Sequence, residues 1–249
     1  MPIRRWPSGM AALDTILGGG FAYGRMHEIY AAEENDAGAA RGFAVALAAG
    51  MSGNGVNVGA PILWVRSCPP PARSGVLQAS GWAALGGAPD HLLVSTALDA
   101  MALLRTAADA LRCRALDMVI VESWGRMREL DLTASRRLAL AAEKSGVPLL
   151  LLRIAAEPVP SAAQTRWQVA AAPSRALPGR APGAPTFDIT LLRQKSGPSG
   201  LDWRLEWDRD HCKFRDSKFR DPALSGAVVP LPVSRPAVDT GGLDERHAA

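Results

Sequence analysis

Three runs in this chain are apolar on consecutive residues instead of alternate ones: Ile62-Leu63-Trp64-Val65, Met118-Val119-Ile120-Val121 and Val147 to Leu152. A strand with one face in water alternates apolar and polar side chains, because successive residues point to opposite faces. A strand that is apolar throughout must be covered on both faces, and the usual cover is a layer of helices on each side of a parallel sheet. Helix-period segments do lie between the runs. Leu98 to Cys113 places Leu98, Met101, Leu104, Ala108 and Leu111 on one stripe. Gly38 to Met51 is small and apolar, as a buried helix would be, and Thr133 to Ser145 reads as a helix with Thr133 as its N-cap candidate. Further strands are predicted at His27–Tyr30 and His91–Ser95, with a helix over Val76–Leu85. The expected fold class is α/β, a parallel sheet flanked by helices.

The texture changes after residue 155. Ala155 to Pro185 is rich in Ala, Pro and Ser, interrupted by a strand candidate at Thr165–Val169. Thr186–Arg193 and Leu201–Trp207 then read as a β-hairpin around a basic, glycine-containing loop, Gln194 to Gly200. In its second strand Trp203, Leu205 and Trp207 share one face, and Arg204, Glu206 and Asp208 the other. From Ser217 on, Pro, Gly and small residues dominate without period. Residues 1–216 are therefore expected to form one domain and 217–249 a flexible Pro/Gly-rich tail.

Several classes are excluded. An apolar content of 48% is too high for a wholly disordered chain. Three cysteines, Cys68, Cys113 and Cys212, are an odd number with no close pair, which suits free thiols in a reducing cytoplasm better than a disulfide framework. The run Val147 to Leu152 stops at Arg153, far short of the ~20 residues of a membrane span. Arg4 and Arg5 are followed by no apolar stretch, so no secretory signal is expected. The four histidines, His27, His91, His211 and His247, lack metal-ligand spacing, and Ser123 has no assignable histidine partner. A cytoplasmic protein without a metal is expected.

The segment Ser8-Gly9, Leu13-Asp14, Leu17-Gly18-Gly19-Gly20, Gly24-Arg25 and His27-Glu28-Ile29-Tyr30 resembles the start of the ATPase core of RecA-type recombinases. There the strand runs into a phosphate loop, G-x-x-x-x-G-K-[ST], whose amides wrap phosphates, whose lysine reaches the terminal phosphates and whose hydroxyl binds magnesium. In ungapped register this chain puts Ala31 at the first glycine, Asp36 at the second, Ala37 at the lysine and Gly38 at the hydroxyl. No shift of register restores the lysine, because the first lysine in the chain is Lys144. Glu33, Glu34 and Asp36 each oppose a phosphate by about 1 kcal/mol at ~4 Å even at the dielectric of water. Arg41 comes about a helical turn too late to replace the lysine. Leu116 to Ser123 resembles the magnesium-side strand of the family, with Glu122 in place of its aspartate. Arg66-Ser67-Cys68 brings no water-polarising carboxylate, and Ile154-Ala155-Ala156 no polar sensor. No ATP or magnesium cofactor, and no ATPase activity, is expected.

Leu191 to Gly200 with Trp203-Arg204-Leu205-Glu206-Trp207-Asp208 resembles the closing hairpin of ImuA-type proteins, RecA-like accessory factors of bacterial damage-induced mutagenesis. The resemblance spans roughly residues 5–215. It implies a non-catalytic adaptor in the SOS response. Its implied partners are RecA and/or an ImuB-like Y-family protein, together with an error-prone polymerase subunit. Two other readings stay open: a SulA-like cell-division inhibitor acting on the division GTPase, and an atypical RecA-like ATPase. Trp6, before the core, is a partner-binding candidate of the kind enriched in interfaces, or else part of the chain's own core. Residues 190–220 hold eight basic and five acidic side chains. Arg193, Lys195, Arg204, Arg209 and Lys213 are the DNA-contact candidates, beside the aromatic residues Trp203, Trp207 and Phe214. The bland alternative for the hairpin is cross-strand ion pairs with the Trp residues in the core.

Overall fold

The computed structural model describes residues 3–52, 59–68, 75, 77–178 and 181–217. In chain order its strands are β1 (Arg5–Trp6), β2 (Phe21–Ala22), β3 (Met26–Ala31), β4 (Ile62–Ser67), β5 (Leu92–Ala97), β6 (Met118–Trp124), β7 (Leu149–Ile154), β8 (Thr165–Ala171), β9 (Thr186–Gln194), β10 (Leu201–Asp208) and β11 (Lys213–Asp216). The helices are α1 (Ala11–Ile16), α2 (Ala37–Ser52), α3 (Ala79–Ala84), α4 (Ala100–Ala110) and α5 (Leu132–Ser145). One nine-stranded sheet runs β11-β10-β9-β8-β3-β7-β6-β4-β5. The six strands from β8 to β5 are mutually parallel, and β9, β10 and β11 close the sheet antiparallel. The expected apolar strands β7, β6 and β4 lie side by side between the middle strand β3 and the edge strand β5, and β7 is buried on every residue.

Two cores flank the sheet, as a doubly covered sheet requires. On one face α2 packs with Trp64, Trp167, Trp207 and Phe214. On the other, α4 and α5 meet Val65, Val121 and Leu151 through Leu103, Ala107, Leu138 and Ala142. The alanine-rich face of α2 lets helix and sheet approach closely. Gly50 is the extreme case, since a Cβ there would overlap the Trp6 indole. Among the described residues no helix is long and apolar enough to cross a membrane.

Several expected boundaries move, each for a local reason. Helix α4 begins only at Ala100, because Asp99 caps it by accepting a hydrogen bond from the Ala102 amide at 2.7 Å; Leu98 stands outside, 89% exposed. Asp131, not Thr133, caps α5, accepting from the Ala134 amide at 2.7 Å. Of the helix expected over Val76–Leu85, Val76 lies outside the described residues and the helical part is α3. The strand expected at His91 begins one residue later, after a 3-10 turn over Pro89–His91. The hairpin is a three-strand meander, because β11 returns along β10 with Trp207 opposite Phe214. The glycine-rich start holds a two-stranded ribbon, β1 with β2, joined by α1 and the Gly18–Gly20 turn, whose glycines all have positive φ. The tail expected from 217 lies, from residue 218 on, outside the described residues.

Candidate functional site

The loop after β3 is where a phosphate would lie in the resembled ATPases. Ala31 still belongs to β3, and the Ala32 amide donates to the Val169 carbonyl at 2.8 Å, continuing the pairing with β8. Glu34–Asp36 then form one 3-10 turn that leads directly into α2 at Ala37. The Asp36 carboxylate accepts from the Glu33 amide at 3.2 Å and from the Ala171 amide at 2.8 Å. An acidic side chain of the chain itself thus takes a loop amide, that of Glu33, where a phosphate would lie, and through Ala171 it ties the turn to β8. Gly38, at the hydroxyl position, is exposed, with open space where a side chain would be.

The strand-end carboxylate Glu122 is buried, its side chain 4% exposed. Arg41, one turn into α2, donates to Oε1 from Nε at 3.0 Å and from Nη2 at 2.6 Å. Arg66, at the end of β4, donates to Oε2 from Nε at 3.0 Å and to Oε1 from Nη2 at 3.2 Å. The Trp64 indole N–H adds a bond to Oε2 at 3.0 Å. A carboxylate offers about four lone-pair directions, so this one has none to spare for a cation. Two guanidiniums against one carboxylate leave the trio cationic, and the Arg41 guanidinium also lies 5.9 Å from the Trp124 ring centroid. A cleft of about 230 Å³ beside it is lined by Arg41, Arg66, Leu77, Trp82 and Leu85. Arg41 therefore does enter the old nucleotide region, but as the partner of Glu122.

Sequence reasoning missed this convergence and a second one. Glu28 in β3 is fully buried; its Oε2 accepts from Arg166 Nε at 3.0 Å and from Ser161 Oγ at 2.5 Å. Arg153, at the end of β7, is 2% exposed and stacks 5.7 Å from the Tyr30 ring centroid. Burial raises the Tyr30 hydroxyl above its ordinary pKa, and Glu28 adds to the effect. His27 is 0% exposed, with Nδ1 2.7 Å from Thr165 Oγ1 and Nε2 3.0 Å from the Ala22 carbonyl. Burial pushes its pKa down to about 4, so it is neutral at pH 7. The only sequence signal for these groups was a charge inside an apolar strand.

The other candidates separate. Trp6 is 0% exposed, seated against Phe21 and Phe214 at 6.0 and 6.2 Å, which places it in the chain's own core and removes it as a partner anchor. Arg204 lies across the strand from Asp188 and makes two hydrogen bonds of 2.6 Å to its carboxylate. Lys213 sits 4.7 Å from the Trp6 ring centroid and donates to the Pro7 carbonyl. Both are turned to internal partners instead of toward a phosphate. Arg209 is exposed beside Asp210, 3.9 Å away. Arg193 and Lys195 are exposed at the end of β9. Of the hairpin tryptophans, Trp207 is 1% exposed with its indole bonded to the Leu85 carbonyl, so it offers a base no free face, whereas Trp203 is half-buried and leans on Trp167 with ring centroids 6.2 Å apart. No group of metal-ligating side chains occurs among the described residues. Cys68, Cys113 and Cys212 are free thiols.

No family model matches the chain. Two curated relatives do, both called Protein ImuA, from Caulobacter vibrioides strains NA1000 / CB15N and ATCC 19089 / CIP 103742 / CB 15. Each is 32% identical over 204 residues, covering 77% of this chain and 72% of the relative. Among solved structures, the crystal structure of the RadB recombinase superposes with a TM-score of 0.55 at 14% identity, covering 86% of this chain and 100% of that one. At that identity the likeness shows the fold, which is RecA-like. With 32% identity to the curated relatives over more than two thirds of their length, the chain belongs to the ImuA family.

Proposed function

We propose that this chain is a non-catalytic, RecA-like adaptor in damage-induced translesion synthesis. In this reading it links RecA and/or an ImuB-like Y-family protein with an error-prone polymerase in the cytoplasm. The observation that carries the non-catalytic part is the saturation of Glu122. The carboxylate that would hold magnesium in an ATPase is instead the acceptor for Arg41, Arg66 and Trp64. Asp36 supports it by taking the Glu33 amide of the loop and tying the turn to Ala171 of β8. Membership of the ImuA family supports the accessory role, and the exposed Arg193 and Lys195 suit a weak DNA contact alongside it.

Two experiments test the reading. Calorimetric titration with Mg-ATP should show no binding at micromolar concentrations; saturable micromolar binding would overturn the non-catalytic part. A tagged full chain recovered from damage-treated cells should bring down RecA or an ImuB-like protein, and deleting the gene should lower damage-induced mutation frequency. Recovery of the division GTPase instead, with filamentous cells on overproduction, would replace the adaptor by a division inhibitor.

A further inference from the structure

A second pocket opens at the opposite end of the sheet from Glu122. It lies at the N-terminal ends of the parallel strands, between the Gly18–Gly20 turn, the starts of β3 and β8, and the loop that follows β9, with a volume of about 380 Å³. Three cationic side chains line it, Arg5, Arg25 and Lys195, and no carboxylate does. The three come from β1, the turn before β3 and the loop after β9, so only the finished fold gathers them.

The cations are held at the pocket by the surrounding structure. Arg5 Nη1 donates to the Gly20 carbonyl at 3.0 Å, which anchors its guanidinium over the glycine turn. Arg25 Nη1 meets Glu143 Oε2 at 2.5 Å; Glu143 stands half-exposed outside the pocket lining. The Arg25 hydrogen bond holds the Glu143 carboxyl below its ordinary pKa, with Lys195 adding through space, which places Lys195 within electrostatic reach of the same rim. The Lys195 amide is fixed to the Gln164 carbonyl at 2.9 Å, so the lysine's backbone is part of the ordered pocket wall. His27, in the floor, has both ring nitrogens engaged and adds no charge at neutral pH.

With Arg25 paired to Glu143, the three cations and one carboxylate leave an excess of two positive charges round the concavity, which an anion relieves. Arginine forks and a lysine point charge together match a phosphate group, which accepts from several directions. Apart from the buried His27 imidazole no aromatic ring lines the pocket, so a nucleobase would find no stacking surface there. Recognition would be of the phosphate and not of the base.

We propose that this pocket is a phosphate site, in which Arg5, Arg25 and Lys195 hold a phosphate group carried either by a nucleic-acid backbone or by a small phosphorylated compound. The test uses the full chain, a fluorescently labelled single-stranded dT oligonucleotide read by anisotropy, and inorganic pyrophosphate read by calorimetry. The variant is the double substitution Arg25→Gln with Lys195→Gln, and the control is Arg215→Gln, outside the pocket. Thermal melting checks that each variant is folded. The proposal expects at least one probe to bind, and the double variant to bind it roughly tenfold more weakly while the control changes by less than about twofold. For the oligonucleotide, the salt slope of log K should also fall by about 1.4, two contacts at ~0.7 each. Oligonucleotide binding that pyrophosphate does not displace assigns the site to a backbone; pyrophosphate binding with the same losses assigns it to a small phosphorylated compound. Failure of the wild-type chain to bind either probe, or wild-type binding by the folded double variant, overturns the proposal. Neither result bears on partner capture, so the adaptor reading is judged separately.

Discussion

Removing the Glu122 carboxylate, as in Glu122→Ala, would leave the Arg41 and Arg66 guanidiniums facing one another with the Trp64 N–H unbonded. Truncating one member of a buried ion cluster costs about 3–5 kcal/mol, and the partial exposure of both arginines puts this case at the lower end. The expected outcome is a clear fall in the urea midpoint of Glu122→Ala, with Glu122→Gln in between. His27 makes a second prediction at this scale. Its pKa is about 4 folded against 6.5 as an unperturbed group. The unfolded chain therefore binds the proton more readily, and stability is complete above pH 6.5 and lost as pH falls from there to about 4. The full effect is ~3 kcal/mol, and denaturant unfolding at pH 7 and pH 4.5 should show most of it in wild type and little in His27→Gln. The sequence alone showed the identity of these residues but not their meeting. Arg41 and Arg66 lie 81 and 56 residues from Glu122. A lone charge in an apolar element says that a partner exists and not which one.

At the level of elements, legibility followed periodicity. Strands β4, β6 and β7 and helices α2, α4 and α5 were foreseen because burial on both faces, or on one stripe, writes a regular pattern. Strand β11 was not, since Lys-Phe-Arg-Asp has a single apolar residue and is held by its register against β10. The ribbon of β1 and β2 was missed for the same reason: its two-residue strands are too short for a period. That ribbon seats Trp6 against Gly50 of α2. Gly50→Ala should therefore destabilise the chain by about 1–3 kcal/mol through overpacking, although alanine favours helix elsewhere. Combining it with Trp6→Leu should give less loss than the two single variants added together, as measured by chemical denaturation in a double-mutant cycle.

At the scale of the whole molecule, the nine-stranded sheet has two very different edges. At one, β11 carries Lys213, Arg215 and Asp216, charges that discourage further pairing. At the other, β5 reads Leu-Leu-Val-Ser-Thr-Ala with Leu93 and Val94 about half exposed, and the strand itself carries no charge or proline. Val94→Lys should raise the concentration at which light scattering begins, with stability changed by no more than about 0.5 kcal/mol. The site was legible in part at this scale: the loss of the phosphate-loop residues is plain in the residue string, whereas the pocket of Arg5, Arg25 and Lys195 depends on three segments that only the topology unites. The seat of Trp6 has a last consequence for how the chain is made. Lys213 bonds to the Pro7 carbonyl across 206 residues, and Phe214 closes over the indole. On a ribosome adding roughly 5–20 residues per second, the indole waits about 10–40 s after its own synthesis for that cover. For that interval the Trp6 indole is an exposed apolar hook, and β11, made about 200 residues later, is the strand that retires it.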